Sequence, residues 1–180
     1  SERSDGAMKV KDRVMMRTKE RQEYFRQFDL SLDHVVAASL THGTNINLVR
    51  SLERGSLVPD TDGLISSERG VVLSLTTVDC FPVYAFDPVM QAIGLAHVGW
   101  KGALHGIVPT LMEKMKDSFG CLPKDLRIGI GPGLRVCHFR IQDDIRGQFE
   151  PTVLERRRGE WFGDLPKLII RQLLGQGIHL

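Results

Sequence analysis

The sequence predicts a mixed α/β (α+β) fold, a single domain with a mixed central β-sheet flanked by helices. Three short apolar runs, at 71–75, 83–86 and 92–96, are separated by turn residues, and such runs are typical of buried strands. Apolar side chains then recur with a helical period from Leu104 to Phe119, which predicts a helix with one buried face. A chain of 180 residues is long enough for one well-packed core.

The other elements are predicted by the same kinds of pattern. Pro109 is compatible with the long helix only in its first turn or at a kink, and Gly120 is a suitable stop. The residues at 59–63 (Pro-Asp-Thr-Asp-Gly) are typical of a turn. In chain order, we predict an amphipathic helix at 19–28, strands at 35–40 and 64–65, the three runs and the helix above, strands at 126–130 and 136–141, an irregular surface excursion at 148–163 and a closing helix at 165–174.

Composition and charge argue against several classes of function. The formal net charge is +2, and the basic residues are scattered without interleaved aromatic residues, so we expect no nucleic-acid partner. No apolar stretch reaches membrane-spanning length and the polar N-terminus shows no signal peptide, so we expect a cytoplasmic protein with no membrane partner. The three cysteines lack paired spacing, which indicates reduced thiols rather than a disulfide framework.

Three side chains have the character of ligands for one metal ion. His42, Cys80 and His97 each lie just past an apolar run and beside a turn. A thiolate with two imidazoles suits Zn²⁺, with Cu²⁺ as the second choice, and three protein ligands are typical of a catalytic zinc site. The three residues are far apart in sequence, so spacing alone does not specify a site, and a buried cysteine is often only a small apolar side chain.

The same region allows two other interpretations. Cys80 could be a nucleophile with His97 as its base, and Asp79 could orient the histidine, although neighbouring residues of a strand point to opposite faces. The Gly99–Gly102 segment (Gly-Trp-Lys-Gly) opens a helix, where glycine backbone and Lys101 favour an anion such as phosphate. The alternative for this segment is a tight turn with its tryptophan packed over the core.

The remaining cysteines and histidines show no comparable pattern. Cys121 follows Gly120, which predicts a surface thiol on a loop. Cys137 and His138 fit a half-buried strand with an exposed histidine better than a metal site. We expect an exposed, solvated position for His34, His105, His179 and the Arg156–Arg158 run.

Four motifs occur in order along the chain and carry a resemblance to a known family. They are His42-Gly43, Val78–Val83 (Val-Asp-Cys-Phe-Pro-Val), His97–Gly102 (His-Val-Gly-Trp-Lys-Gly) and Gly131-Pro132. Together they resemble the DUF152 family, whose members have been described as multicopper polyphenol oxidoreductases or laccases, as zinc-dependent purine nucleoside phosphorylases and as peptidoglycan editing factors. The resemblance covers nearly the whole chain, from about residue 19 to the end, and Ser1–Gly6 resemble the tail of an opening strand.

The resemblance carries the family's metal ligands onto His42, Cys80 and His97. It implies that Cys80, His97 and Lys101 form the catalytic group, within a mixed α/β fold. It also implies one laccase-like domain spanning 1–180 that lacks a few N-terminal residues, and a monomeric cytoplasmic protein.

Several positions depart from the family pattern, and these concern substrate orientation rather than the metal. Leu40 stands where the family commonly has glutamine, and Lys101 replaces an arginine, which keeps the charge but loses the bidentate fork. Arg140 stands where the family often has glutamate, which reverses a charge near the expected site. Asp62 matches a frequent family aspartate. We expect Lys101, Asp62 and Arg140 on the substrate and phosphate side, with turn capping as the alternative role of Asp62.

The activity that the resemblance implies is zinc-dependent purine nucleoside phosphorolysis. Its substrates would be phosphate with adenosine or inosine, with methylthioadenosine as a further candidate and adenosine deamination as a side activity. The alternatives are a copper-dependent polyphenol oxidoreductase, a cysteine or metal hydrolase of peptidoglycan precursors, and a zinc-binding module without activity.

Overall fold

A computed structural model describes residues 18–179 of the chain and confirms the mixed α/β fold. The expected opening strand at Ser1–Gly6 lies outside these residues. The helices are α1 (Lys19–Arg26), α2 (Trp100–Leu104), α3 (Ile107–Phe119), α4 (Asp143–Arg146) and α5 (Leu165–Gly175). The strands are β1 (Val35–Ala38), β2 (Ile46–Leu48), β3 (Ser56–Val58), β4 (Gly63–Ser66), β5 (Val72–Ser74), β6 (Phe81–Asp87), β7 (Ala92–Val98), β8 (Arg127–Ile130), β9 (Arg140–Ile141), β10 (Leu154–Arg157) and β11 (Glu160–Gly163).

The main core lies between a five-stranded sheet and two helices. The strand order is β2-β4-β7-β6-β8, with β2 parallel to β4 and the other neighbours antiparallel. α3 packs closely on this sheet, since a Cβ atom on Gly94 of β7 would lie 2.8 Å from the sulfur of Met115. The apolar faces of α3 and α5 are buried here, as their helical period requires: Ile107, Val108, Leu111, Met112, Met115, Leu165, Leu168, Ile169 and Leu173.

A second sheet lies between α1 and the five-stranded sheet. β1 is its central strand and runs parallel to β3 and β5. Val35 and Ala37 face Phe25 of α1, whereas Val36 and Ala38 pack on the other side with Leu64 of β4. β1 lies where its apolar run predicts a strand, but the second sheet differs from the single central sheet that we expected. β2 and β3 were not predicted, since they have only three residues each.

The third sheet corrects the expectation of an irregular excursion at 148–163. β10 and β11 form an antiparallel hairpin there, and β11 also pairs with β9. The indole of Trp161 is flanked by the guanidinium groups of Arg146 and Arg156, at 5.3 and 5.7 Å from the ring centroid. These contacts let a charged segment form a stable strand pair. The strand expected at 136–141 is reduced to β9.

The long predicted helix is broken near its start. Leu104 ends the short α2, and Gly106 takes a left-handed conformation (φ 82°) before α3 begins. Pro109 therefore falls in the first turn of α3, where its missing N–H is tolerated, as the sequence required. Gly120 caps α3 in the left-handed conformation (φ 74°). None of the helices within residues 18–179 combines the length and the apolar character that a membrane crossing requires.

Candidate metal centre

The three predicted ligands converge at one end of the five-stranded sheet. His42 lies in the loop between β1 and β2, Cys80 directly precedes β6, and His97 is the penultimate residue of β7. His97 is paired with Pro82 of β6, so the hairpin register brings it beside the strand that Cys80 leads into. One ligand atom from each of the three residues lies within 4.8 Å of the others. Chain topology therefore assembles donors that are distant in sequence.

The trio is closed on one side and open on the other. His97 is buried, at 3% exposure, whereas Cys80 is half-buried and His42 is exposed. The two imidazole rings meet edge to face, with centroids 4.8 Å apart and planes at 86°. A group bound by the three donors is thus held from the protein side and stays accessible from solvent.

A buried aspartate lies behind both histidines. Asp62, in the turn before β4, has no exposed surface, and its carboxylate accepts hydrogen bonds from the backbone N–H groups of His42 and Gly43, both at 2.8 Å. The hydroxyl of Thr41 donates to it at 2.6 Å. Nδ1 of His97 lies 3.4 Å from Oδ1 of Asp62, which is long for a hydrogen bond.

These contacts shift the pKa values of His97 and Asp62. Burial alone disfavours the imidazolium, but the contacts with Asp62 and Cys80 outweigh it and raise the pKa of His97 to about 9. Burial likewise opposes the Asp62 carboxylate, yet its contacts with His97, Thr41, Gly43 and His42 hold its pKa well below the usual range. A metal ion that takes His97 at neutral pH must therefore displace a proton, as is usual for imidazole ligands.

The donor types and their close approach fit a metal ion. A Cβ atom built on Gly99 would lie 2.9 Å from the sulfur of Cys80 and 3.5 Å from Cδ2 of His42, so the absent side chain leaves room beside the ligands. One thiol and two imidazoles are the donor types that zinc and copper prefer. The residues present therefore fit a single transition-metal ion.

A comparison with known protein families identifies the family of this chain. The sequence profile of the family described as multi-copper polyphenol oxidoreductase laccase matches residues 2–180. The chain belongs to this family. The resemblance inferred from the four motifs is thereby confirmed.

Relatives of known sequence and structure support this membership. A Geobacillus stearothermophilus protein named purine nucleoside phosphorylase YlmD is 30% identical over 162 residues, which cover 82% of this chain and 59% of that protein. The crystal structure of YlmD from the same organism superposes with a TM-score of 0.84 at 27% identity, covering 93% of this chain and 67% of that one. A Neisseria meningitidis structure assigned to DUF152 shares the fold, with a TM-score of 0.74 at 23% identity. The chain spans about three fifths of the length of the Geobacillus relative.

Lys101 stands at the family's usual arginine position, on the helix α2 that begins beside Cys80 and His42. It is exposed and belongs to α2, between Gly99, which borders Cys80, and Gly102, whose added Cβ would lie 2.8 Å from the carbonyl oxygen of Gly43. α2 thus packs against the loops that carry Cys80 and His42. The ammonium group of Lys101 lies 5.5 Å from the centroid of the Trp100 ring.

The other two departures from the family, at Arg140 and Leu40, make contacts of their own. Arg140 is on β9 and forms an ion pair with Glu160 at 3.1 Å, across the third sheet. Leu40 packs with the cluster between the first two sheets. The structure therefore brings together His42, Cys80, His97 and Asp62, with Lys101 on the adjoining helix, and pairs Arg140 with Glu160.

Two of the thiols lie in environments other than those predicted from the sequence. Cys121 is buried rather than on the surface, beside the carboxylate of Asp87, and burial is the main cause that raises the pKa of this thiol to about 12. Cys137 is the exposed thiol and lies in a turn, not a strand, with its sulfur 3.0 Å from Nδ1 of His138. Asp79 is exposed, and Asp62 takes the position behind His97 that Asp79 was considered for.

Gly99→Ala should weaken zinc binding by roughly 10–100-fold, the size typical of changes next to metal ligands. The backbone at Gly99 (φ −83°) is ordinary for alanine, so the added methyl acts through its contact with Cys80 rather than through strain. The matched control is Gly147→Ala, which meets nothing within 4 Å at φ −64°. The zinc affinity of Gly147→Ala, measured by competition with a chromophoric chelator, should equal that of the wild type. Equal affinities for both variants would contradict a site bordered by Gly99.

Proposed function

We propose that this chain carries the single-metal centre of a zinc-dependent purine nucleoside phosphorylase, with a nucleoside such as adenosine or inosine and phosphate as substrates. The observation that carries the proposal is the convergence of His42, Cys80 and His97 with an exposed side. The Geobacillus relative is named a purine nucleoside phosphorylase, and this name supports phosphorolysis as the reaction.

The donor set favours zinc over a copper oxidase. Among residues 18–179, this trio is the one group of histidine, cysteine and acidic side chains placed to hold a metal, so it supports one ion rather than several. Three nitrogen and sulfur ligands with an open side are characteristic of catalytic zinc sites. Bound there, zinc would act as a Lewis acid toward an oxygen of a substrate.

Side chains of this protein would hold the metal ion and supply a positive charge for phosphate. His97, buried and contacted by Asp62, forms the rigid side of the site, and the exposed His42 lies on its solvent side. Lys101 offers a positive charge next to the ligand loops and would attract and orient phosphate. In the proposed reaction a phosphate oxygen forms a bond to C1′ of the ribose while the C1′–N9 bond breaks. The electron pair of that bond leaves with the purine, which takes up a proton.

A product assay tests the proposal. Purified, zinc-loaded protein is incubated with adenosine, with and without phosphate, and adenine, inosine and ribose 1-phosphate are followed. We expect adenine and ribose 1-phosphate in equal amounts, and only with phosphate. Adenine without phosphate would indicate a hydrolase, inosine alone a deaminase, and no product from zinc-loaded protein a binding module; each of these outcomes contradicts phosphorolysis.

A further inference from the structure

The carboxylate of Asp62 is surrounded by donors from the loop that carries His42. Its Oδ1 accepts from the backbone N–H of His42 at 2.8 Å, and its Oδ2 accepts from the N–H of Gly43 at 2.8 Å and the hydroxyl of Thr41 at 2.6 Å. The N–H of Thr41 also points to both oxygens, at 3.2 and 3.3 Å. One buried group thus holds three successive residues of an otherwise exposed loop.

This loop needs to be held because His42 has an unfavourable backbone conformation. Its φ is 63°, in the left-handed region that side chains other than glycine rarely adopt. Such a conformation persists only where surrounding contacts over-determine it, and the carboxylate supplies them on both sides of the His42 peptide. The direction in which the His42 imidazole leaves the chain therefore depends on Asp62.

The same carboxylate also faces the second histidine. Nδ1 of His97 is buried, makes no well-formed hydrogen bond and has Oδ1 of Asp62 3.4 Å away. A carboxylate only accepts, so it favours the tautomer of His97 with the proton on Nδ1. That tautomer leaves Nε2 with its lone pair free, which is the state that a metal ligand requires.

We propose that Asp62 is the positioning residue that couples the two histidine ligands, fixing the backbone of His42 and the tautomer of His97 through one carboxylate. This role differs from contact with substrate or phosphate, because Asp62 has no exposed surface. It rests on the proposed metal centre, but not on the reaction that the centre performs.

Asp62→Asn tests the coupling with nearly unchanged shape. If the amide nitrogen faces His97, it donates to Nδ1 and moves the ring proton to Nε2, which can then no longer bind a metal. If the amide nitrogen takes the position of Oδ2, it meets the N–H of Gly43, and the loss of that hydrogen bond loosens the loop of His42. Either way we expect zinc affinity to fall by roughly 10–100-fold, measured by chelator competition.

Asp87→Asn is the matched control. Asp87 is also fully buried and holds a turn through the N–H groups of Val89 and Met90, but it lies at the far end of β6 from Cys80. This variant should lose stability while keeping wild-type zinc affinity to within about twofold. Equal zinc affinity of Asp62→Asn and the wild type would overturn the proposal. Equal losses of zinc affinity in Asp62→Asn and Asp87→Asn would also overturn it.

A spectroscopic measurement on the wild type keeps the test independent of whether Asp62→Asn folds. In zinc-loaded protein, the ¹⁵N shifts of His97 should show a protonated Nδ1 and a metal-bound Nε2. Coordination through Nδ1 would overturn the proposal. A wild type that binds no zinc overturns the metal centre and this inference together, whereas zinc binding without phosphorolysis overturns only the proposed reaction.

Discussion

Cys80→Ala should abolish stoichiometric zinc binding and, with it, the proposed nucleoside phosphorolysis. Cys80 supplies the one thiol of the trio, and its removal leaves two imidazoles, of which His42 is exposed. Outer-shell partners of a metal typically contribute 10–100-fold in affinity, so the loss of a direct ligand must cost more than about 100-fold. Elemental analysis of the purified variant and chelator competition measure the effect. Full retention of zinc in Cys80→Ala would rule out the site.

The other two thiols provide internal controls for the role of Cys80. Cys137→Ala should keep full zinc content, because this exposed residue lies outside the trio. In the wild type, zinc should shield Cys80 from alkylation, and a chelator should restore its reactivity. Cys137 should react in both states and the buried Cys121 in neither. If Cys80 reacts equally fast with and without zinc, a thiol hydrolase becomes the better description of the site.

The convergence of His42, Cys80 and His97 was predictable from sequence because a thiol and two imidazoles are recognisable as donor groups. A thiol and two histidines next to strand ends are visible as a pattern, and the motifs around them are specific to the family. Asp62 was recognisable as a residue of interest, but its role was not, because Asp-Gly is also an ordinary turn. Its contacts with Thr41, His42 and His97 join three segments of the chain, and such long-range pairing appears only in the folded state. Gly99 was visible as a turn glycine, yet its closeness to Cys80 was not.

The elements that sequence analysis missed depend on tertiary contacts rather than on local propensity. β10 (Leu-Glu-Arg-Arg) lacks the apolar alternation of a half-buried strand. It forms because Arg156 packs over Trp161 across the hairpin, and because β11 also pairs with β9. Cys121 was assigned to the surface from the preceding Gly120, whereas its side chain turns inward against Asp87. In each case a distant partner decides the outcome.

Lys101→Ala should lower kcat/KM for phosphate in the proposed reaction while leaving zinc content unchanged. Lys101 is exposed on α2 between two glycines that touch the ligand loops, so its charge is available to an anion next to the metal centre. Loss of one charge-assisted contact typically costs about 1.5–3 kcal/mol, which corresponds to a roughly 10- to 100-fold loss in kcat/KM for phosphate. Steady-state assays at varied phosphate concentration, with ribose 1-phosphate as the product measured, report this effect directly.

Two further variants separate a specific role of Lys101 from a general effect of charge. Lys101→Arg restores the family's usual residue and its bidentate geometry, so phosphate use should be retained or improved. Lys116→Ala removes an exposed lysine from the last turn of α3, at the opposite end of that helix from α2, and should leave phosphate kinetics unchanged. If Lys101→Ala and Lys116→Ala lose phosphate affinity equally, the effect comes from the overall field of the protein. If Lys101→Ala leaves the KM for phosphate unchanged while phosphorolysis continues, phosphate binds on another side of the metal centre.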